Sequence, residues 1–172
     1  MKIKNNKMAE KEDNKTFTPF MHTAFRVSDV DRAIEFYGKF GFKNTYSVPG
    51  ELNETLICFL EYGGHILIVA RLKGLPYPMT PRESAIQEGP RGLGTKISFN
   101  VADLDFAYEL CISEKCEITM EPMEELWGDR IFTCLDPFGY ELQIHQNVKK
   151  YMNEDDLTKA YQSVWLDEKN KV

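Results

Sequence analysis

Several things are scarce in this sequence, and each scarcity removes a class of function. Cysteine occurs only at positions 58, 111, 116 and 134. No two form a Cys-x-x-Cys pair, and all sit in apolar strand or helix patterns, so they read as structural, buried thiols rather than zinc or redox centres. Positive charge is short: 21 Lys and Arg stand against 27 Asp and Glu, a net charge of −6. With no basic patch interleaved with aromatics, phosphate backbones find no grip, and nucleic acid is not an expected partner. The opening stretch MKIKNNKMAEKEDNKT lacks any apolar segment. It reads as neither signal peptide nor membrane anchor, and the expectation is a disordered tail over residues 1–19 of a cytoplasmic protein without membrane contact.

What is present begins with a core. A chain of 172 residues with 42% hydrophobic content is enough for one globular domain built from one or two modules. It also repeats itself. FRVSDVDRAIEF, residues 25–36, lies without gaps over FNVADLDFAYEL, residues 99–110, with Phe, Val, Asp, Asp, Ala and Glu shared at matching positions. The offset is 74, from residue 25 to residue 99.

Each copy starts with strand periodicity and turns helical. Val30, Ala33, Ile34 and Tyr37 follow helical spacing in the first copy, and Leu104, Ala107, Tyr108 and Cys111 in the second. Asp29 and Asp103 stand where a carboxylate caps free amides of the first turn, a structural role. Three β-rich runs follow each helix: 42–48, 55–62 and 65–71 in the first copy, and 116–122, 130–136 and 140–146 in the second. Gly63-Gly64 marks a tight hairpin, and Asp136-Pro137-Phe138-Gly139 the last turn. The expectation is an α+β fold of two repeated βαβββ modules, about 20–72 and 93–147, whose sheets curl around a shared ligand cleft.

The last strand, YELQIHQ, points Glu141, Gln143 and His145 to one face. In the first strand His22 shares a face with Ala24 and Arg26, and the offset pairs His22 with Lys96, Ala24 with Ser98 and Arg26 with Asn100. These side chains are the polar groups expected in the cleft.

The doubled module, the opening HTAFRVSDVDRAIEFYGKFGF and the closing WGDRIFTCLDPFGYELQIHQ resemble the vicinal oxygen chelate superfamily of glyoxalase I, extradiol dioxygenases, and fosfomycin and bleomycin resistance proteins. The resemblance covers residues 20–147 and implies fold more than chemistry. It also implies a divalent metal on four side chains, at positions that fall here on His22, Ile68, Lys96 and Gln143. Isoleucine offers no donor, a lysine ammonium cannot ligate, and a neutral amide is a weak ligand, so this set reads as a metal site that has lost its ligands. A shifted site joining His22 to Glu141 or His145 is the alternative.

By resemblance to bleomycin resistance proteins, Trp127 on its glycine-containing loop ahead of Arg130 would flank the ligand groove; a barrel cap or dimer contact is the other reading. The segment 73–92 is rich in Pro and Gly and reads as a linker, with a lid as the alternative. Leu157, Tyr161, Val164 and Trp165 behind Asn153 predict an amphipathic C-terminal helix within 148–172. The resulting expectation is a metal-free small-molecule binder and homodimer that sequesters a drug or metabolite through His22, Arg26, Lys96, Ser98, Asn100, Trp127, Arg130, Glu141 and Gln143, with no cofactor. The alternatives are a divalent-metal-dependent lyase, isomerase or dioxygenase, and catalysis by Lys96 without a metal.

Overall fold

A computed structural model describes residues 22–125 and 128–147, together with Asp155, Thr158, Lys159 and Gln162 in helical conformation. The first module runs β1 (Thr23–Val27), α1 (Val30–Lys39), β2 (Lys43–Pro49), β3 (Thr55–Tyr62) and β4 (His65–Arg71). A connecting helix, α2 (Pro81–Glu88), leads to β5 (Lys96–Asn100), α3 (Leu104–Ser113), β6 (Glu117–Glu124), β7 (Asp129–Leu135) and β8 (Glu141–Asn147). The expected strand, helix, three-strand unit is present twice.

Each module is a four-stranded mixed sheet, ordered β1-β4-β3-β2 in the first and β5-β8-β7-β6 in the second. The leading strand runs parallel to the last one, which only a crossover through the helix allows. Both helices start where the sequence says. The Asp29 carboxylate accepts from the Arg32 amide at 2.9 Å, and Asp103 from the Phe106 amide at 3.0 Å. Gly63 and Gly64 turn the β3–β4 hairpin with φ of 57° and 83°, the left-handed pair a two-residue turn requires.

The two modules share one core. Val30, Ala33, Phe36 and Tyr37 of α1 and Leu104, Ala107 and Cys111 of α3 are buried against the strands. Along the seam, Phe25 meets Tyr140 at 4.5 Å between ring centroids, and Phe99 meets Phe42 at 5.2 Å and Phe40 at 5.6 Å. Each such side chain, fully buried, stabilises by roughly 1.5–3 kcal/mol. The seam also holds one buried polar contact. The Tyr37 hydroxyl donates to Asp136 Oδ2 at 2.6 Å, and Asp136 Oδ1 accepts from the Phe138 and Tyr140 amides at 2.9 and 2.8 Å.

The connection between the modules is not a plain linker. Thr80 caps α2 by accepting from the Glu83 amide at 3.1 Å, and Pro81 occupies the first turn, where its missing N–H costs nothing. Among the described residues no helix is long and apolar enough to cross a membrane. The residues 1–19, Trp127 and the stripe Leu157, Tyr161, Val164 and Trp165 with its cap Asn153 lie outside the described residues.

Candidate functional site

The period of two places the expected polar set of the second module on one face. Parallel pairing of β5 with β8 sets Lys96 beside Glu141, Ser98 beside Gln143 and Asn100 beside His145. Lys96 Nζ and Glu141 Oε1 form an ion pair at 3.0 Å, with both side chains partly exposed. Ser98 Oγ and His145 Nε2 lie 2.7 Å apart, within hydrogen-bond distance. On the other side of the ring, His145 Nδ1 is 3.5 Å from Asp129 Oδ2. The order hydroxyl, imidazole, buried carboxylate can hold a ligand's polar end and move a proton to or from it.

Asp129 is 5% exposed, and its buried Oδ1 has no hydrogen-bond partner among the described residues. The carboxyl of neighbouring Glu125 is raised above its ordinary range, first by burial and also by the Asp129 charge, while His145 opposes the shift. The Glu125 amide donates to the Asp129 carbonyl at 2.7 Å.

On the first sheet the outcome differs. Arg26 does not wait for a ligand: its guanidinium pairs with Glu83 of α2 at 3.1 Å, donates to the Arg71 carbonyl at 3.2 Å and lies 4.8 Å from the centroid of the Tyr77 ring. Residues 77–86 thus fold back over this face, and His22, Arg26 and Ile68 line a cavity of about 590 Å³ whose roof is Tyr77, Thr80 and Glu83. Arg130 also departs from expectation. It shares β7 parity with Phe132 and Cys134, which face the helix, and it pairs with Asp105 of α3 through contacts of 2.8 and 3.2 Å. It belongs to the helix-covered side and not to the open face.

The expected single cleft is divided by the linker. The cavity holding His22 and Ile68 draws its lining from the first module and the α2 segment. A second cavity, about 640 Å³, lies at the seam and takes Thr23, Phe42, Tyr62 and His65 from one module with Lys96, Ser98 and Asn100 from the other. Here Phe42 and Tyr62 stack at 4.5 Å with 22° between their planes. His65 pairs with Tyr62 at the turn and lines this seam cavity.

The four positions at which the resemblance implies a metal do not fit one. Ile68 has no donor atom, and Lys96 is committed to Glu141. Glu141 and His145 are four residues apart on β8, about 13 Å at ~3.3 Å per residue, too far to share an ion. Among the described residues, the one convergent group of three His, Cys, Asp or Glu side chains is Cys111, Cys116 and Cys134, which lies elsewhere.

Asp129 and Glu125 escape a reading of the sequence alone, because nothing local separates them from solvated acids. Asp129 does sit at the β7 position paired with Asn147, two residues before Ile131, the partner of His145. Extending the strand by one residue toward its start would have found it. The α2 strap had a clearer signal: Thr80-x-x-Glu83 with Pro81 between is a helix-start pattern.

Comparison with known proteins agrees with the fold. The family model described as Glyoxalase/Bleomycin resistance protein/Dioxygenase superfamily matches residues 20–144. The uncharacterized protein Rv0887c of Mycobacterium tuberculosis is 26% identical over 138 residues, 80% of this chain and 79% of its own. TioX from Micromonospora sp. ML1 superposes with a TM-score of 0.53 at 22% identity, covering 75% of this chain and all of its own. The fosfomycin resistance protein FosX from Listeria monocytogenes, solved with Mn(II) and sulfate, does so with a TM-score of 0.56 at 14% identity, covering 84% and 98%.

Proposed function

We propose that this chain, which belongs to the Glyoxalase/Bleomycin resistance protein/Dioxygenase superfamily, is a small-molecule-binding protein whose ligand site works without a metal. The observation that carries the proposal is the seam cavity. Its volume, about 640 Å³, is that of a drug-sized ligand site, and its lining combines stacked aromatic rings with a few fixed polar groups.

Phe42 and Tyr62 offer an apolar face for a planar body. Lys96, Ser98 and Asn100 offer a cation, a hydroxyl and an amide for a polar or anionic end. An anionic group would exchange for Glu141 on Lys96, at little cost because that ion pair is half in water. Sequestration needs affinity only, so it is compatible with Ile68 and Lys96 at positions where metal ligands are implied. A metal-dependent lyase, isomerase or dioxygenase needs at least three converging donors, which His22, Glu141 and His145 do not supply. Lys96 as a base is the weaker reading too, because its side-chain nitrogen is already paired with the Glu141 carboxylate at 3.0 Å.

The protein is taken to act in the cytoplasm as a homodimer. Calorimetric titration of a panel of bleomycin-type drugs and planar aromatic acids tests the site. The expected result is binding that falls at least about tenfold in Tyr62→Ala and in Lys96→Met, the loss of one aromatic or charged contact of ~1.4 kcal/mol or more. Equal affinity in both variants would remove the seam cavity as the site.

A further inference from the structure

Three of the four cysteines meet in space although the sequence scatters them. Cys111 closes the last turn of α3, Cys116 follows the turn into β6, and Cys134 lies on the inward face of β7. Lys115, with φ of 61°, reverses the chain so that the Cys116 amide donates to the Cys111 carbonyl at 2.9 Å. The three sulfur atoms all lie within 4.8 Å of one another, Cys111 and Cys134 being 3.7 Å apart, and none is in a disulfide.

Packing alone does not account for the cluster. The repeat offset of 74 places Cys111 on Tyr37 and Cys116 on Phe42, and strand register places Cys134 on Leu60. The first module thus fills the equivalent spot with two rings and a leucine, with Tyr37 and Phe42 in contact at 5.3 Å. The second module fills it with three small, soft donors.

We propose that Cys111, Cys116 and Cys134 form a site for one thiophilic divalent cation of the zinc class, held by three thiolates. A triangle with sides of at most 4.8 Å has its centre no more than about 2.8 Å from each sulfur, so a contraction of about half an ångström reaches the ~2.3 Å zinc–sulfur bond. The thiol protons leave to solvent as the bonds form, and no electron is transferred. Sulfur excludes the hard cations magnesium, calcium and manganese.

Three thiolates and a divalent ion carry one net negative charge. Glu114, two residues before Cys116, is paired by both Arg32 and Lys39, and Glu35 lies 3.8 Å from Arg32, so the two cations and two anions beside the site balance. With ligands on α3, on β7 and just ahead of β6, and Arg32 of α1 alongside, a bound ion would tie the second module together next to the seam.

The test is zinc retention by the reduced full-length protein after dialysis, measured with a chromophoric chelator. Cobalt(II) serves as the spectroscopic probe. The site predicts about one zinc per chain, and cobalt bands whose sulfur-to-metal charge transfer reports three thiolates. Affinity should fall at least about tenfold in Cys116→Ser and stay unchanged in Cys58→Ser, whose thiol lies apart in the first module. The cobalt spectrum needs no variant, so a poorly folding Cys116→Ser does not remove the test. No retained zinc, retention equal in Cys116→Ser, or cobalt bands without sulfur character would overturn the proposal.

Discussion

Replacing Tyr37 by phenylalanine deletes one oxygen atom at the seam and leaves the buried ring in place. The lost contact is the 2.6 Å bond to Asp136, which is 4% exposed and joins α1 of one module to the β7–β8 turn of the other. A hydrogen bond to a charged group is worth about 1.5–3 kcal/mol, and Asp136 keeps its two amide donors, so a cost of about 2 kcal/mol is expected. For a chain of this size that lowers Tm by roughly 4–8 °C.

The cost should also depend on pH. Burial raises the Asp136 carboxyl above its ordinary value, while the Tyr37 hydroxyl and the two amides pull it down. A carboxyl raised on folding contributes stability that is full below its unfolded value, about 3.9, and lost as pH rises through the raised folded value. Without the hydroxyl the folded value rises further, so Tyr37→Phe should cost least near pH 4 and most at pH 8. Urea unfolding of both proteins at the two pH values measures this. A cost under about 0.5 kcal/mol, or one equal at pH 4 and pH 8, would refute the assignment of Tyr37 and Asp136 as a buried polar link between modules.

Other expectations follow from single contacts. Thr80→Ala removes the cap of α2 and should weaken that helix by about 1 kcal/mol. Its readout is faster amide exchange at residues 83–89, with the exchange of β3 unchanged. Loss of the ligand in Tyr62→Ala and Lys96→Met, and of zinc in Cys116→Ser, are the corresponding expectations for the seam cavity and the thiol cluster. Because the two sites share no residue, either variant set can fail without the other.

What the sequence revealed was local or repeated. Period-two runs placed β3 at 55–62 and β4 at 65–71 as observed, because apolar strands bounded by Gly63-Gly64 have one consistent register. The self-match at an offset of 74 exposed the doubled module without any partner sequence. The caps at Asp29 and Asp103 needed only their position before a helical pattern. Contacts set by tertiary packing stayed hidden. Arg26 looked like a cleft cation, but the electrostatic partner that claims it, Glu83, lies 57 residues away in a segment read as linker. Arg130 was legible in principle: it shares parity with Phe132 and Cys134, but the Trp-Gly stretch ahead of it drew the reading toward the groove. Cys134 is 23 residues from Cys111, and no spacing rule brings a strand residue onto a helix end. The placement of Ser98, His145, Lys96 and Glu141 on one face came from alternation alone. That Ser98 takes His145 and Lys96 takes Glu141 required the parallel register.

The most direct test of the central claim is ligand affinity measured before and after removal of metal. The protein is stripped with EDTA, and then loaded in turn with manganese(II), a cation the thiol cluster does not select. A ligand from the panel is titrated calorimetrically into each form. The account predicts the same affinity in both, with no manganese retained through dialysis. A manganese ion held at about one per chain, lost in His22→Ala and required for ligand binding, would contradict it.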